Sequence, residues 1–335
     1  MIGHPFDVES YLVDRRTFIG ALAAGTLAAV PRAATAQQTG GARRIGMLSA
    51  GFLPKVPPAS FVDALRERGW VEGENLVIER RSAEGNSNRV PMLAAELAQM
   101  KLAVIVTFGA VAGVAMKDAS TTLPIVATSG DPVRLGLVSN LSHPGGNITG
   151  VSLIAPELAA KRLELIRELL PRATLVGELV DPANTYWQRV RADYEQAFRT
   201  MRMRPLFVEV AKPDEIETAI VQIAGQRADA LIVRGDPVFF ATRERIGRLA
   251  VQHGLPTVAE DRRFAEAGNL MSYGPDNSAV DRIIVGCIDQ ILRGAKPGDL
   301  PIAQPTKFDF VINGKAANAL GLTIPQSLLV RSEVI

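Results

Sequence analysis

Two hydrophobic rhythms take turns along this chain: short continuous apolar runs, and longer stretches with apolar residues three and four positions apart. Ile45-Gly46-Met47-Leu48-Ser49 is a run ending in small residues and predicts a first strand. Phe61, Val62 and Leu65 then share one face of a helix that stops near Gly69. Leu76–Glu79 predicts a second strand, and Met92, Leu93, Glu96 and Leu97 a second helix. Ala103–Phe108 predicts a third strand whose unbroken apolar run implies burial on both faces. A helix over Ala110–Ala119 and a strand over Pro124–Ala127 follow.

The rhythm then restarts. Leu158–Leu170 has an amphipathic helical pattern, followed by a strand over Thr174–Val180, a helix over Thr185–Met201 and a strand over Pro205–Val210. A helix over Pro213–Ile223, a strand over Ala230–Val233, a helix over Arg243–His253 and a strand over Pro256–Ala259 continue it. Such alternation predicts parallel sheets covered by helices, here as two successive units of about 110 residues each. The expected class is therefore α/β with two Rossmann-like lobes, the first over residues 43–150 and the second over 151–272. Residues 273–335 carry two helix patterns, one over Ser278–Arg293, and one strand, Phe308–Ile312. They are too few for a domain. Part of 273–335 is expected to complete the first lobe and part of 300–335 the second, so the chain crosses between lobes more than once. Ser142–Ser152 joins the units; its three glycines and one proline suit either a hinge or an ordinary tight loop.

Composition narrows the setting. Of the 335 residues 47% are apolar, enough for buried cores, and a net charge of +2 leaves no nucleic-acid footprint. Arg15-Arg16-Thr17-Phe18-Ile19 opens an apolar run to Val30, and Ala34-Thr35-Ala36 follows. This is the layout of an export signal of twin-arginine type over residues 1–36, expected to be cleaved after Ala36. Its apolar run of about 12 residues is short of the ~20 that span a bilayer. A soluble periplasmic protein, not embedded in the membrane once cleaved, is expected. The single cysteine, Cys287, allows no internal disulfide, and three histidines with it do not make a zinc site. No metal and no cofactor are expected.

Ligands of open parallel sheets bind beyond the strand carboxyl ends. Those ends hold Ser49-Ala50-Gly51-Phe52, Thr107-Phe108-Gly109-Ala110, Thr128-Ser129-Gly130-Asp131, Asp181-Pro182-Ala183-Asn184, Arg234-Gly235-Asp236-Pro237 and Glu260-Asp261. Thr107–Ala110, at a helix start, suits a carboxylate, because free N–H groups and the helix dipole favour an anion there. Asp236 or Asp181 on the facing lobe suits an ammonium group; equally, each Asp-Pro is a turn that starts a helix. Phe52, Phe108, Tyr186, Phe239, Phe240 and Tyr273 flank the same ends as apolar candidates. Dinucleotide, phosphate-loop and nucleophile-elbow patterns are absent from the sequence. An enzyme is not expected; carboxylate acid/base chemistry in the cleft is the alternative.

Several stretches together carry a family resemblance: Gly69-Trp70-Val71-Glu72-Gly73-Glu74-Asn75-Leu76, Gly130-Asp131-Pro132-Val133 and Pro144-Gly145-Gly146-Asn147-Ile148-Thr149-Gly150-Val151. Lys161-Arg162-Leu163-Glu164-Leu165, Leu270-Met271-Ser272-Tyr273-Gly274 and Gln304-Pro305-Thr306-Lys307-Phe308 add to them. From Arg43 to Val330 the chain resembles the substrate-binding proteins of ABC importers with the type I periplasmic-binding fold, in the branch of tryptophan- and phenylalanine-type binders. The resemblance implies two lobes joined by a multi-strand hinge of three crossovers, closing on a small-molecule ligand that is passed to an ABC permease and its ATPase. An amino-acid-like or aromatic or other carboxylic acid ligand, and a monomer, are what it leads us to expect; a ligand sensor for a membrane receptor has the same fold. Ser49, Thr107, Phe108, Gly109, Ala110, Ser129, Asp131, Asp181, Asn184, Arg234, Asp236 and Tyr273 are the expected ligand contacts. Arg234 stands where relatives often have a small residue. In the cleft it would favour a ligand with an extra carboxylate, and otherwise it reads as a surface arginine ending a strand.

Overall fold

The computed structural model describes residues 41–335, so the export signal expected over 1–36 lies outside the described residues. The chain runs β1 (Arg43–Ser49), α1 (Ala59–Glu67), β2 (Leu76–Ser82), α2 (Val90–Gln99), β3 (Val104–Phe108), α3 (Ala110–Ala119), β4 (Ile125–Ser129) and β5 (Ile148–Ser152). These strands form one parallel sheet in the order β2-β1-β3-β4-β5. The apolar run of β3 divides between its faces with the two-residue period of a strand. Val104 and Val106 pack with Phe61 and Leu65 of α1, whereas Ile105 packs with Leu93 and Leu97 of α2 and Met116 of α3.

The second unit holds α4 (Ala155–Leu169), β6 (Leu175–Val180), α5 (Thr185–Thr200), β7 (Arg204–Glu209), α6 (Ile216–Gly225), β8 (Ala230–Val233), α7 (Pro237–Ala241), α8 (Arg243–Gln252), β9 (Thr257–Ala259), α9 (Arg262–Glu266) and β10 (Met271–Pro275). After it come α10 (Asn277–Leu292), β11 (Phe308–Ile312), α11 (Gly314–Ala319), α12 (Gln326–Leu329) and β12 (Glu333–Val334). The second sheet has the order β12-β11-β10-β9-β8-β6-β7, and its pairs are parallel except β10 with β11. Helix α10 returns to the first sheet, where Val280, Ile284 and Ile288 join the core of Ile45 and Val104. Cys287 is buried in the same helix.

The Ser142–Ser152 stretch, read from its glycines as a connection, is only half a loop. Its second half is β5, the edge strand paired with β4 from Ile148↔Ile125 to Ser152↔Ser129. Three passages then link the two sheets. Leu153 and Ile154 lead from β5 to α4, Asp276 leads from β10 to α10, and Gln304–Lys307 lead to β11. They are tied side by side. Ser152 N–H donates to the Ala303 carbonyl at 2.9 Å, Ala303 N–H to Gly150 O at 3.0 Å, and Asp276 N–H to Lys307 O at 3.0 Å. The fold is thus two α/β lobes on a multi-strand hinge.

Gly150 marks the tightest point beside this hinge. Its φ is +140°, and an added Cβ would lie 2.0 Å from the Ala127 carbonyl oxygen of β4. Backbone cannot yield there as a side-chain tip could. Gly150→Ala is expected to lower stability by more than about 3 kcal/mol in urea unfolding, whereas Gly145→Ala, with open space around it but a φ of +66°, should cost about 1–2 kcal/mol.

Candidate functional site

The carboxyl ends of both sheets open onto one cleft of ≈ 760 Å³. From the first lobe it is lined by Ser49 and Gly51 at the end of β1, Phe108, Gly109 and Ala110 at the end of β3, and Thr128 and Gly130 at the end of β4. The second lobe supplies Asn184 and Tyr186, then Arg234, Gly235, Asp236 and Pro237, then Glu260 and Asp261, with Arg162 reaching in from α4. A loop over Phe52–Pro58 and the first turns of α10 close the outer side. The lobes already touch across it: a Cβ on Gly130 would lie 2.8 Å from the Tyr186 ring, and one on Gly51 3.2 Å from Pro237.

On the first-lobe wall the N-terminus of α3 faces the cleft without a side-chain cap. Gly109, at φ +87°, turns the chain into the helix, and no atom stands within 4 Å of where its Cβ would be. A bound group can therefore approach the first-turn N–H groups of α3, whose dipole favours negative charge. Beside them Thr128 is buried and its Oγ1 has no protein hydrogen-bond partner; the same is true of the Tyr186 hydroxyl on the facing lobe.

The second-lobe wall is built on buried ions. Arg234 is 3% exposed. Its Nη1 donates to Glu178 Oε1 at 3.1 Å and its Nε to Asp236 Oδ2 at 3.3 Å. The rings of Trp187 and Tyr194 lie 4.9 and 4.7 Å from its guanidinium carbon. Asn184 Oδ1 accepts from Tyr186 N–H, which caps α5, while its Nδ2 donates to the other Asp236 oxygen. Arg162 donates Nε to the Tyr273 carbonyl at 2.9 Å and Nη1 to Glu260 Oε1 at 3.0 Å, and Glu260 Oε2 accepts Gly235 N–H at 2.9 Å. Burial pushes Glu178 up to about 7 and Asp236 up to about 6, against the opposing pull of Arg234. Glu260 is partly buried, yet Arg162, Arg234 and the Gly235 N–H hold it below the usual carboxylate range.

Seven of the expected contacts meet in the cleft: Ser49, Phe108, Gly109, Ala110, Asn184, Arg234 and Asp236. Five lie apart from its lining. Thr107 and Ser129 are buried outside the cleft lining. Asp131 accepts the N–H groups of Val133 and Arg134 at 3.0 Å each, and Asp181 accepts Ala183 N–H at 2.9 Å; both act as turn-forming carboxylates. Tyr273 stacks on Phe308 with ring centroids 6.0 Å apart. Arg234 is neither a surface residue nor a free anion receptor, because Glu178 and Asp236 already take its charge. Thr128, Arg162 and Glu260 were not among the expected contacts, and Tyr186 was marked only as an apolar candidate. Tyr186 and Glu260 lie at strand ends that the sequence marks, and Arg162 lies in a family-like stretch, but only the packing of α4 against the second sheet brings Arg162 to the cleft.

Two parallel-sheet lobes with a shared cleft on a three-passage hinge define the architecture of type I periplasmic binding proteins. Residues 58–335 match the ABC transporter substrate binding protein family, and the chain belongs to it. A tyrosine-binding protein of Clostridioides difficile (strain R20291) is 24% identical over 264 residues, 78% of this chain and 75% of that protein. A conserved domain protein of Vibrio cholerae superposes with a TM-score of 0.81 at 26% identity, over 87% of this chain and 99% of that one. The ABC domain of Streptococcus pneumoniae in complex with L-Trp superposes at 0.78 with 23% identity, over 88% and 100%.

The buried acids fix a pH response of the ligand-free fold. A carboxyl raised on folding contributes stability below its unfolded value, and that stability is lost as pH rises through the folded one. For Glu178 the window runs from 4.5 to about 7 and for Asp236 from 3.8 to about 6. Glu260 and Asp261, both lowered, act in the opposite sense and only below their usual values. Thermal unfolding should therefore show a higher Tm near pH 5 than near pH 8, and Glu178→Gln should raise the Tm by about 5 °C near pH 8 and leave it unchanged near pH 5.

Proposed function

We propose that this protein captures a zwitterionic amino acid with an aromatic or large apolar side chain between its lobes, in the periplasm, and presents it to an ABC permease. The observation that carries this reading is the opposite charge of the two cleft walls. The α3 N-terminus and the Thr128 hydroxyl suit an α-carboxylate. Across the cleft, Asp236 and Glu260 line the wall with Arg162 and Arg234, and Glu178 behind Arg234 adds a third carboxylate to the two guanidiniums, which suits an ammonium group at Asp236. Phe52, Leu53, Phe108 and Phe240 supply apolar lining for the side chain. The name of the tyrosine-binding relative agrees with such a ligand.

Because the Arg234 charge is taken up by the protein, a ligand with a second carboxylate gains little, and aromatic acids without an amine lose the Asp236 contact. Lobe closure around the ligand is a hinge motion in which ligand stabilises the closed state. Among the described residues no helix is long and apolar enough to cross a membrane. A freely diffusing receptor, its signal removed after Ala36, serves this role. Ligand is bound and released without chemical change.

Thermal-shift screening against amino acids, aromatic acids and aromatic amines tests the reading, since a ligand of the native state raises the Tm in step with occupancy. L-tyrosine, L-tryptophan or L-phenylalanine should stabilise the protein, while the matching acid and amine should do so far less. Asp236→Asn should weaken the best amino acid by at least about tenfold in calorimetry, as expected for loss of a buried charged partner. Stabilisation by the amine-free acid alone, or recovery of a chemically altered ligand, would overturn the proposal.

A further inference from the structure

Arg234 lines the cleft with its charge already taken by Glu178 and Asp236, and Glu178 lies outside the lining. Trp187 and Tyr194, both from α5, cover the guanidinium, and Glu178 lies behind it on β6 with 0% exposure. Of the two carboxylates that Arg234 bridges, only Asp236 lines the cleft. One Glu178 oxygen accepts from Arg234; the other, Oε2, is buried with no protein partner. An isolated buried carboxylate oxygen without a donor is the place where a proton is most easily held.

Resting on the amino-acid reading above, we propose that Arg234 is a positioning residue acting on the ligand ammonium through Asp236, and that Glu178 behind it is a proton-controlled switch on ligand affinity. With Glu178 ionised, the Glu178–Arg234–Asp236 row carries one net negative charge toward the cleft. When Glu178 takes a proton, Arg234 answers Asp236 alone and the row becomes neutral, so the ammonium loses its attraction.

The charged groups around the row leave this balance in place. Arg162 and Glu260 pair with each other. Asp181, next along the strand ends, adds negative field at Asp236 and is itself raised by burial. Burial pushes the Tyr186 and Tyr194 hydroxyls far above neutral, so both stay protonated. Asp131 faces Tyr186 from the first lobe and is paired with Arg134. Burial raises both carboxyls of the row, Glu178 to about 7 and Asp236 to about 6.

Calorimetric titration of the folded protein with L-tyrosine and with L-tryptophan from about pH 5 to pH 8 tests the switch. Affinity should fall at least about tenfold from pH 8 to pH 5, one factor of ten per pH unit below the controlling carboxyl. Glu178→Gln should bind more weakly than wild type at pH 8 and lose the dependence above about pH 6.5. A second readout needs no ligand: Trp187 touches Arg234, so in a Trp70→Phe background its emission should titrate near neutral pH and cease to do so in Glu178→Gln. A flat Trp187 emission over this range, or a Glu178→Gln protein with the wild-type pH profile of binding, overturns the switch. If neither amino acid binds at any pH while the emission still titrates, the amino-acid reading fails and the protonating pair stands.

Discussion

Parallel strands buried on both faces impose the arrangement from which everything else here follows. Helices must cover each side of such a sheet, so its middle has no room for polar groups, and they collect where the strands end. β4 is buried along its whole length, and the hydroxyls and carboxylates that could serve a ligand sit at or beyond its last residues. The hinge then turns two such edges toward each other. The cleft is thus a product of the sheets, and its chemistry is set by a few residues after each strand.

Within that edge the walls differ in how they carry charge. The first lobe uses the backbone, through an uncapped helix start with glycine beside it. The second uses side chains taken almost wholly out of water, a costly arrangement unless each ion is matched. Arg162 with Glu260 is matched; Glu178 with Arg234 and Asp236 has one acid too many. That surplus weakens the empty fold near neutral pH, on the order of 3 kcal/mol for Glu178 alone. The same surplus is what an ammonium group would relieve, so the strain of the free protein and the affinity for ligand have one source.

Most regular elements were legible in the pattern of the chain. α3 and β8 and β11 begin and end where the apolar rhythm places them. β5 was hidden, because Ile148-Thr149-Gly150-Val151-Ser152 lies among glycines and needs β4 beside it to be a strand. β10 was hidden for a similar reason: Met-Ser-Tyr-Gly-Pro has little apolar signal, and its neighbours β9 and β11 hold it. At the site, strand-end position located Gly109, Asn184 and Asp236. It could not tell Thr128 from Ser129, which alternate across the sheet, nor Asp236 from Asp181, which differ in what packs around them. The role of Arg234 was out of reach, since Glu178 is 56 residues away in sequence and looks like any polar residue in a strand.

The return of α10 to the first sheet has a consequence for how the chain comes to be. One face of that sheet stays bare until residues 277–292 have been synthesised, after the whole of β6–β10. The second sheet in turn waits for β11 and β12, which follow α10 in the chain. The first lobe cannot finish until most of the second has been made, so the protein does not mature lobe by lobe as chains of separate domains do. Until α10 is made the first sheet keeps one apolar face exposed, and removing β11 and β12 would leave the second sheet with β10 as a bare edge.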